Sequence, residues 1–121
     1  MDLFFSFIIP VYNRPDEIRE LLQSMVEQKF SKPFEILIIE DGSSRSSQKV
    51  IIEFQDKLSV SYFQKPNTGP GDSRNYGMKR AQGDYFIILD SDCVLPPTYL
   101  QIVERSLKEK YVDCFGGPDA A

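Results

Sequence analysis

The 121-residue sequence contains no histidine and no tryptophan, only two cysteines, no cluster of basic residues and no long apolar run. Each absence closes a class of function. Without histidine there is no imidazole metal site and no Ser-His-Asp or Cys-His nucleophile, which leaves carboxylates, hydroxyls, Lys, Arg and backbone groups for any chemistry. Cys93 and Cys114 are too widely spaced for a zinc knuckle or a redox pair, so they read as small apolar residues, and any metal bound here is hard and oxygen-ligated. Fourteen basic against eighteen acidic residues give a net charge of −4, and nucleic acid is not an expected partner. No apolar segment reaches the roughly 18 residues of a membrane span, and the N-terminus lacks the basic start and small-residue cleavage site of a signal peptide. A cytoplasmic location with reduced thiols is the expectation, with any membrane association of a longer protein coming from outside these residues.

What is present suits one packed domain: 41% of residues are apolar and 12% aromatic. Phe4–Val11 is an apolar run of strand length, and Asn13 to Glu17 then supply a turn, an early-helix proline and first-turn acids. Ile18, Leu21, Leu22, Met25 and Val26 form one helical stripe. Glu35–Ile39 is apolar after its first residue, without in-out alternation, which predicts a strand buried on both faces as in a parallel sheet. A helix with Val50, Ile51 and Phe54 and a weaker strand near Val60–Phe63 follow. After the loop at 65–71 come a helix over Asp72–Ala81 stopped by Gly83, a buried strand over Asp84–Asp90, a helix opened by Pro96-Pro97 and a strand over Val112–Phe115. The alternation predicts an α/β fold, an open and mainly parallel sheet with helices on both faces, whose ligands sit at the carboxyl ends of the strands.

The unusual residues fall on that rim: Pro10-Val11-Tyr12-Asn13, Glu40-Asp41-Gly42-Ser43 and Asp90-Ser91-Asp92. Side chains at i and i+2 leaving a strand share a side, so Asp90 and Asp92 can approach one Mg²⁺ or Mn²⁺, and such an ion lets an acidic protein hold an anionic diphosphate. The pair could equally cap the turn before Pro96. Glu40-Asp41-Gly42 fits a strand-to-helix turn with positive φ at the glycine and a serine N-cap, or a carboxylate that accepts from a nucleobase N–H or a ribose hydroxyl. Arg74 suits either a fork onto phosphate or base oxygens or a surface salt bridge. Gly69-Pro70-Gly71 lacks the third glycine of a dinucleotide fingerprint and no buried strand immediately precedes it.

Together, Phe7-Ile8-Ile9-Pro10-Val11-Tyr12-Asn13, Ile39-Glu40-Asp41-Gly42-Ser43, Gly71-Asp72-Ser73-Arg74-Asn75-Tyr76-Gly77 and Leu89-Asp90-Ser91-Asp92 resemble, in order and spacing, bacterial family 2 glycosyltransferases of the GT-A fold. The resemblance covers residues 5–117. It implies that Pro10, Val11, Tyr12, Asn13, Asp41 and Gly42 hold the nucleobase and ribose of a nucleotide-diphosphate sugar donor. Arg74 then lies near the base or diphosphate, Asp90 and Ser91 on the sugar and ribose side, and Asp92, with Asp90, at Mn²⁺ or Mg²⁺. Gly116-Gly117 resembles the segment leading toward the acceptor. The implied activity is inverting transfer of a sugar, with a UDP-sugar as the expected donor, to a carbohydrate or lipid-linked acceptor in cell wall or polysaccharide synthesis. Glu40 stands where the family often has Asp, and Ser44-Arg45 replaces the commoner Thr-Asp.

In the family the catalytic base lies well downstream of the Asp-x-Asp, so none is assigned within these residues, and Asp113 and Asp119 read as surface carboxylates. The chain is expected to be the donor-binding portion, residues 1–121, of a domain cut before its acceptor half. A sheet so cut exposes apolar surface, and self-association through that face is the expectation. Two other readings carry discriminators. A phosphoacceptor receiver domain needs an acidic pair after the first strand, where Tyr12-Asn13 stands; a binding-only module holds nucleotide and turns nothing over.

Overall fold

A computed structural model of the protein describes residues 4–109 and 114–116. The elements alternate: β1 (Phe5–Val11), α1 (Pro15–Val26), β2 (Phe34–Asp41), α2 (Gln48–Phe54), β3 (Val60–Lys65), α3 (Pro70–Arg80), β4 (Tyr85–Ile88), α4 (Tyr99–Glu109) and β5 (Cys114–Gly116). Every pairing is parallel, in the order β3-β2-β1-β4-β5. The chain winds outward from β1 to β3, then crosses back to lay β4 on the other side of β1, which makes the β1–β4 boundary the switch point of the sheet.

Strand periodicity divides the core in two. Phe5, Phe7, Ile9, Ile36 and Ile38 face one side and pack with Ile18, Leu21, Leu22 and Met25 of α1, Val50, Ile51 and Phe54 of α2, and Leu100, Val103 and Leu107 of α4. Ile8, Leu37 and Ile39 face the other side, where Tyr76 and Met78 of α3 cover them. The unbroken apolar run Ile36–Ile39 is therefore buried on both faces, each side chain contributing about 1.5–3 kcal/mol. Gly77 makes the close approach of α3 possible: a Cβ there would lie 2.6 Å from Ile8 Cγ2 and 2.9 Å from Ile39 Cδ1.

The element boundaries differ from the sequence reading at four places that matter for the site. Helix α3 starts at Pro70 rather than Asp72, because Pro has no N–H to lose at a first helical position and Gly69 takes φ 103° to turn into it. It ends at Arg80 with Ala81 extended, so Gly83 is not the helix stop. Gly83 instead passes against β1, where a Cβ would come within 2.3 Å of Ser6 Oγ and 2.7 Å of the Phe4 carbonyl oxygen. Strand β4 ends at Ile88, and Pro96-Pro97 lie in the turn before α4 rather than inside it, with the Tyr99 amide donating to the Pro96 carbonyl at 3.0 Å. The expected strand over Val112–Phe115 is represented by β5; Val112, Asp113, Gly117 and Asp119 lie outside the described residues.

Helix α1 and the residues just after it anchor the chain that follows β4. Buried Ser24 accepts from the Leu95 amide at 3.0 Å, and Gln28 donates to the Pro96 carbonyl at 2.7 Å and accepts from the Leu100 amide at 3.1 Å. Cys93 is buried in the core, as expected of a small apolar residue. Among the described residues no helix is long and apolar enough to cross a membrane.

Candidate nucleotide site

At the switch point the strand ends enclose a cavity of about 260 Å³. Its wall draws on four separate stretches: Pro10, Val11 and Tyr12 from the end of β1, Asp41 from the end of β2, Pro70 and Arg74 from α3, and Asp90 and Ser91 beyond β4, with Arg14 at the entry to α1. Seven of the ten residues picked out in the sequence for nucleotide or metal meet here. A larger open groove of about 580 Å³ along α3, lined by Met78, Lys79 and Arg80 among others, contains none of them.

Tyr12 stands 53% exposed on the rim, a large aromatic face with no core to fill. Arg74 is half-buried on the wall and makes no ion pair or hydrogen bond among the described residues, so the salt-bridge reading fails and its guanidinium is available to a ligand. Asp90 is likewise unpaired. The turn after β4 closes through backbone alone, Cys93 N–H to the Asp90 carbonyl at 3.2 Å, so the carboxylates of Asp90 and Asp92 do not cap it. Because β4 ends at Ile88, however, the strand rule that would aim both carboxylates to one side does not apply: Asp90 is on the wall and Asp92 lies in the turn beyond it.

Asp41 is 5% exposed and heavily engaged. Its Oδ1 accepts from Lys65 Nζ at 2.6 Å and the Thr68 amide at 2.9 Å, and its Oδ2 accepts from the Gly69 amide at 3.0 Å. Burial pushes the Asp41 carboxyl up, but the hydrogen bonds from Lys65, Thr68 and Gly69 and the charge of Lys65 outweigh it and hold the group below the ordinary carboxylate range. The carboxylate thus ties β2 to the β3–α3 loop instead of closing an Asx-turn. Gly42 takes φ 68° as the turn reading requires, and a Cβ on it would sit 2.7 Å from the Asn67 nitrogen.

Three predicted residues lie off the cavity wall, each for a visible reason. Asn13, at φ 53°, accepts at its side-chain oxygen from the Arg45 amide at 2.8 Å and from Ser44 Oγ at 3.2 Å, which knots the β1–α1 loop to the β2–α2 loop. Gly42 borders a neighbouring depression with Glu40 and Ser43. Asp92 is exposed past the rim. Two wall residues escaped the sequence reading: Arg14 read as part of the turn into the first helix and Pro70 as part of the 65–71 loop, and only the tertiary fold shows that the starts of α1 and α3 border the cavity.

No group of three or more Asp, Glu, Cys or His residues that could hold a metal occurs among the described residues. Among the described residues the carboxylates of Asp90 and Asp92 have no protein partner, and oxygen ligands of this kind suit Mg²⁺ or Mn²⁺, which complete their shells with water and ligand phosphates.

An open parallel sheet with a cavity at its switch point, walled by an exposed tyrosine, carboxylates and an arginine that has no partner among the described residues, defines an α/β domain of the GT-A type. The chain belongs to glycosyl transferase family 2, whose model matches residues 6–120. It is 32% identical over 112 residues to TarS, the poly(ribitol-phosphate) beta-N-acetylglucosaminyltransferase of Staphylococcus aureus, a match that covers 90% of this chain and 20% of TarS. It is 38% identical over 108 residues to an uncharacterised glycosyltransferase of Rickettsia conorii, covering 89% of this chain and 18% of that protein. The crystal structure of S. aureus TarS 1–349 in complex with UDP-GlcNAc superposes with a TM-score of 0.82 at 32% identity, over 88% of this chain and 31% of that one. A mannosyltransferase from Pyrobaculum calidifontis in complex with GDP-Man and Mn²⁺ shares the fold, with a TM-score of 0.73 at 20% identity over 79% of this chain and 29% of that one. The chain thus spans about a fifth of the length of the two curated relatives. Family membership displaces the receiver-domain reading.

Proposed function

We propose that these residues form the donor-binding part of an inverting glycosyltransferase that takes a nucleoside-diphosphate sugar, most naturally a UDP-sugar, and delivers the sugar to a carbohydrate or lipid-linked acceptor in surface-polymer synthesis. The observation that carries this reading is the cavity itself, which gathers residues from four sequence stretches at the switch point. The likeness to TarS, solved with UDP and with UDP-GlcNAc, supports uridine as the nucleoside.

In this reading Tyr12 stacks on the base, Pro10 and Val11 line its pocket, and Asp41 accepts from a base or ribose donor. Arg74 forks onto the diphosphate, while Asp90 and Asp92 hold the divalent ion. At about 260 Å³ the cavity is small for a whole sugar nucleotide, since ligand sites commonly run to roughly 300–1,000 Å³, so the nucleoside fills it and the diphosphate and sugar extend past Ser91. When bound, the ion neutralises charge that develops on the leaving diphosphate. The chain's own part is to bind, orient and desolvate the donor; the base that takes the acceptor's proton is not assigned to any residue here.

Calorimetric titration with UDP and GDP, each with Mn²⁺ and then with EDTA, tests the reading. The expected result is Mn²⁺-dependent binding of UDP, lost in Asp92→Ala. Binding of UDP that ignores both EDTA and Asp92→Ala would remove the metal-bridged site. Donor hydrolysis or transfer by these residues alone, absent in Asp92→Ala, would show that they do more than bind.

A further inference from the structure

Lys65, the last residue of the edge strand β3, is absent from the cavity wall yet contacts what builds it. Its ammonium has three donors, and all three are used: Asp41 Oδ1 at 2.6 Å, the Pro66 carbonyl at 2.9 Å and Thr68 Oγ1. Its side chain is only 8% exposed, and Asp41's is 7%. The same short segment is fixed again by the Thr68 and Gly69 amides on Asp41 and by Asn67 Nδ2 on the Asp41 carbonyl at 2.9 Å. Gly69 is the N-cap of α3, the helix that carries Pro70 and Arg74 into the cavity.

A carboxylate has four acceptor positions. Lys65, Thr68 and Gly69 occupy three on Asp41, two on Oδ1 and one on Oδ2. One position on Oδ2 remains, on a residue of the cavity wall.

We propose that Lys65 is a positioning residue of the donor site: by bridging Asp41, Pro66 and Thr68 it presents Asp41 as a fixed acceptor with one open position for a nucleobase N–H, and sets the start of α3 so that Arg74 faces the same ligand. The inference rests on the donor-site reading above and deepens it. An acceptor-only group favours bases whose pairing edge carries a ring N–H, as uracil and guanine do and adenine and cytosine do not. The bridge also governs protonation. The other charged groups around Asp41 are Arg14, Arg74 and Asp90 across the cavity, while Glu40, next to it on β2, faces the opposite side of the sheet. Among the charged groups of the described residues, only Lys65 is in contact with the carboxylate. Without that ammonium, burial drives Asp41 toward the protonated form, which has lost acceptor capacity.

Two measurements on the same samples test this. Amide exchange in the ligand-free protein reads the bridge directly: protection of Thr68 and Gly69 is expected in the wild type and Lys65→Arg, with exchange about tenfold faster in Lys65→Met. Titration with UDP and Mn²⁺ at pH 7.5 and 5.5 reads its role in the site. The wild type and Lys65→Arg are expected to bind alike at both values; Lys65→Met is expected to bind about tenfold more weakly at pH 7.5 and about tenfold more weakly again at pH 5.5. If Lys65→Met does not fold, Lys65→Gln, which keeps a donor for Thr68, serves in its place. A folded variant with unchanged exchange, with wild-type UDP affinity, or with the same loss at both pH values overturns the role of Lys65 alone. A wild type that binds no UDP overturns the donor-site reading, and the functional role of Lys65 with it.

Discussion

Glu40 and Asp41 are consecutive at the end of β2 and face opposite sides of the sheet. Glu40 Oε1 accepts from the Ser47 amide at 2.7 Å, Ser47 Oγ at 2.8 Å and Tyr62 Oη at 3.0 Å, and its Oε2 accepts from Ser43 Oγ at 2.5 Å. Asp41 faces Lys65, Thr68 and Gly69. The two-residue period of a strand thus splits one acidic pair into two tasks: Glu40 builds the loop into α2, and Asp41 builds the loop into α3 and the wall of the cavity. The serine at the α2 N-cap, Ser47, spends its hydroxyl on Glu40 rather than on a helix amide.

Removing the Glu40 carboxylate should therefore act on stability. Glu40→Ala leaves the Ser47 amide, two serine hydroxyls and Tyr62 without their acceptor in a site that is 2% exposed. A loss of about 3 kcal/mol is expected, read by urea denaturation. Glu40→Asp, one methylene shorter, should recover only part of it, because a shorter arm cannot reach all four donors from the same backbone position.

Arg74→Ala should behave in the opposite way. The guanidinium has no partner among the described residues, so its loss should change stability by no more than about 0.5 kcal/mol. A charge-assisted contact to a phosphate is worth about 1.5–3 kcal/mol, so UDP binding should fall roughly 10- to 100-fold. Titration of uridine alongside UDP locates the contact: if Arg74 meets the diphosphate, uridine binding should be nearly unchanged.

The contrast between these residues shows how far the sequence could be read. Hydrophobic continuity at Ile36–Ile39 announces a strand buried on both faces, and the punctuation after each strand announces the rim, so the sheet and most of the cavity wall were legible. Arg14, Pro70 and Lys65 were not, because each has an ordinary local role at a helix start or strand end, and only tertiary folding shows what lies across from it. The strand ending at Ile88 was hidden for a related reason: Leu89 is apolar and its amide still donates to the Ile8 carbonyl at 3.1 Å, so composition alone does not mark where β4 stops.

Two glycines should respond differently to a methyl group. In Gly77→Ala the new Cβ meets the ends of Ile8 and Ile39, side chains that can rotate or shift, and a cost of about 1–3 kcal/mol is expected. In Gly83→Ala it meets the Phe4 carbonyl and the Ser6 amide nitrogen, 2.7 and 2.9 Å away, which belong to the β1 backbone and its lead-in and cannot move without disturbing the pairing with β4. Gly83→Ala should be the more destabilised of the two in parallel thermal melts; equal melting temperatures would show that β1 yields as easily as a side chain.

The pH dependence of stability isolates the Asp41–Lys65 pair. The Asp41 carboxyl is held below its ordinary value of 3.8 in the folded protein, so the stability it contributes is fully present above that value and is lost as pH falls through the lower folded-state value. Asp41→Asn keeps an acceptor but removes the charge opposite a Lys65 that is 8% exposed. At pH 7 the variant should be less stable by about 2 kcal/mol, the scale of a hydrogen bond to a charged group. The gap should stay constant down to about pH 5 and close only below the ordinary carboxylate value, because protonation then removes from the wild type the same charge that the substitution removed. Urea midpoints for the two proteins across this range decide the matter. A gap that already narrows between pH 7 and 5 would mean that Asp41 protonates more easily than its three donors allow, and a gap unchanged at pH 3 would mean that the carboxylate's charge contributes nothing that an amide oxygen does not.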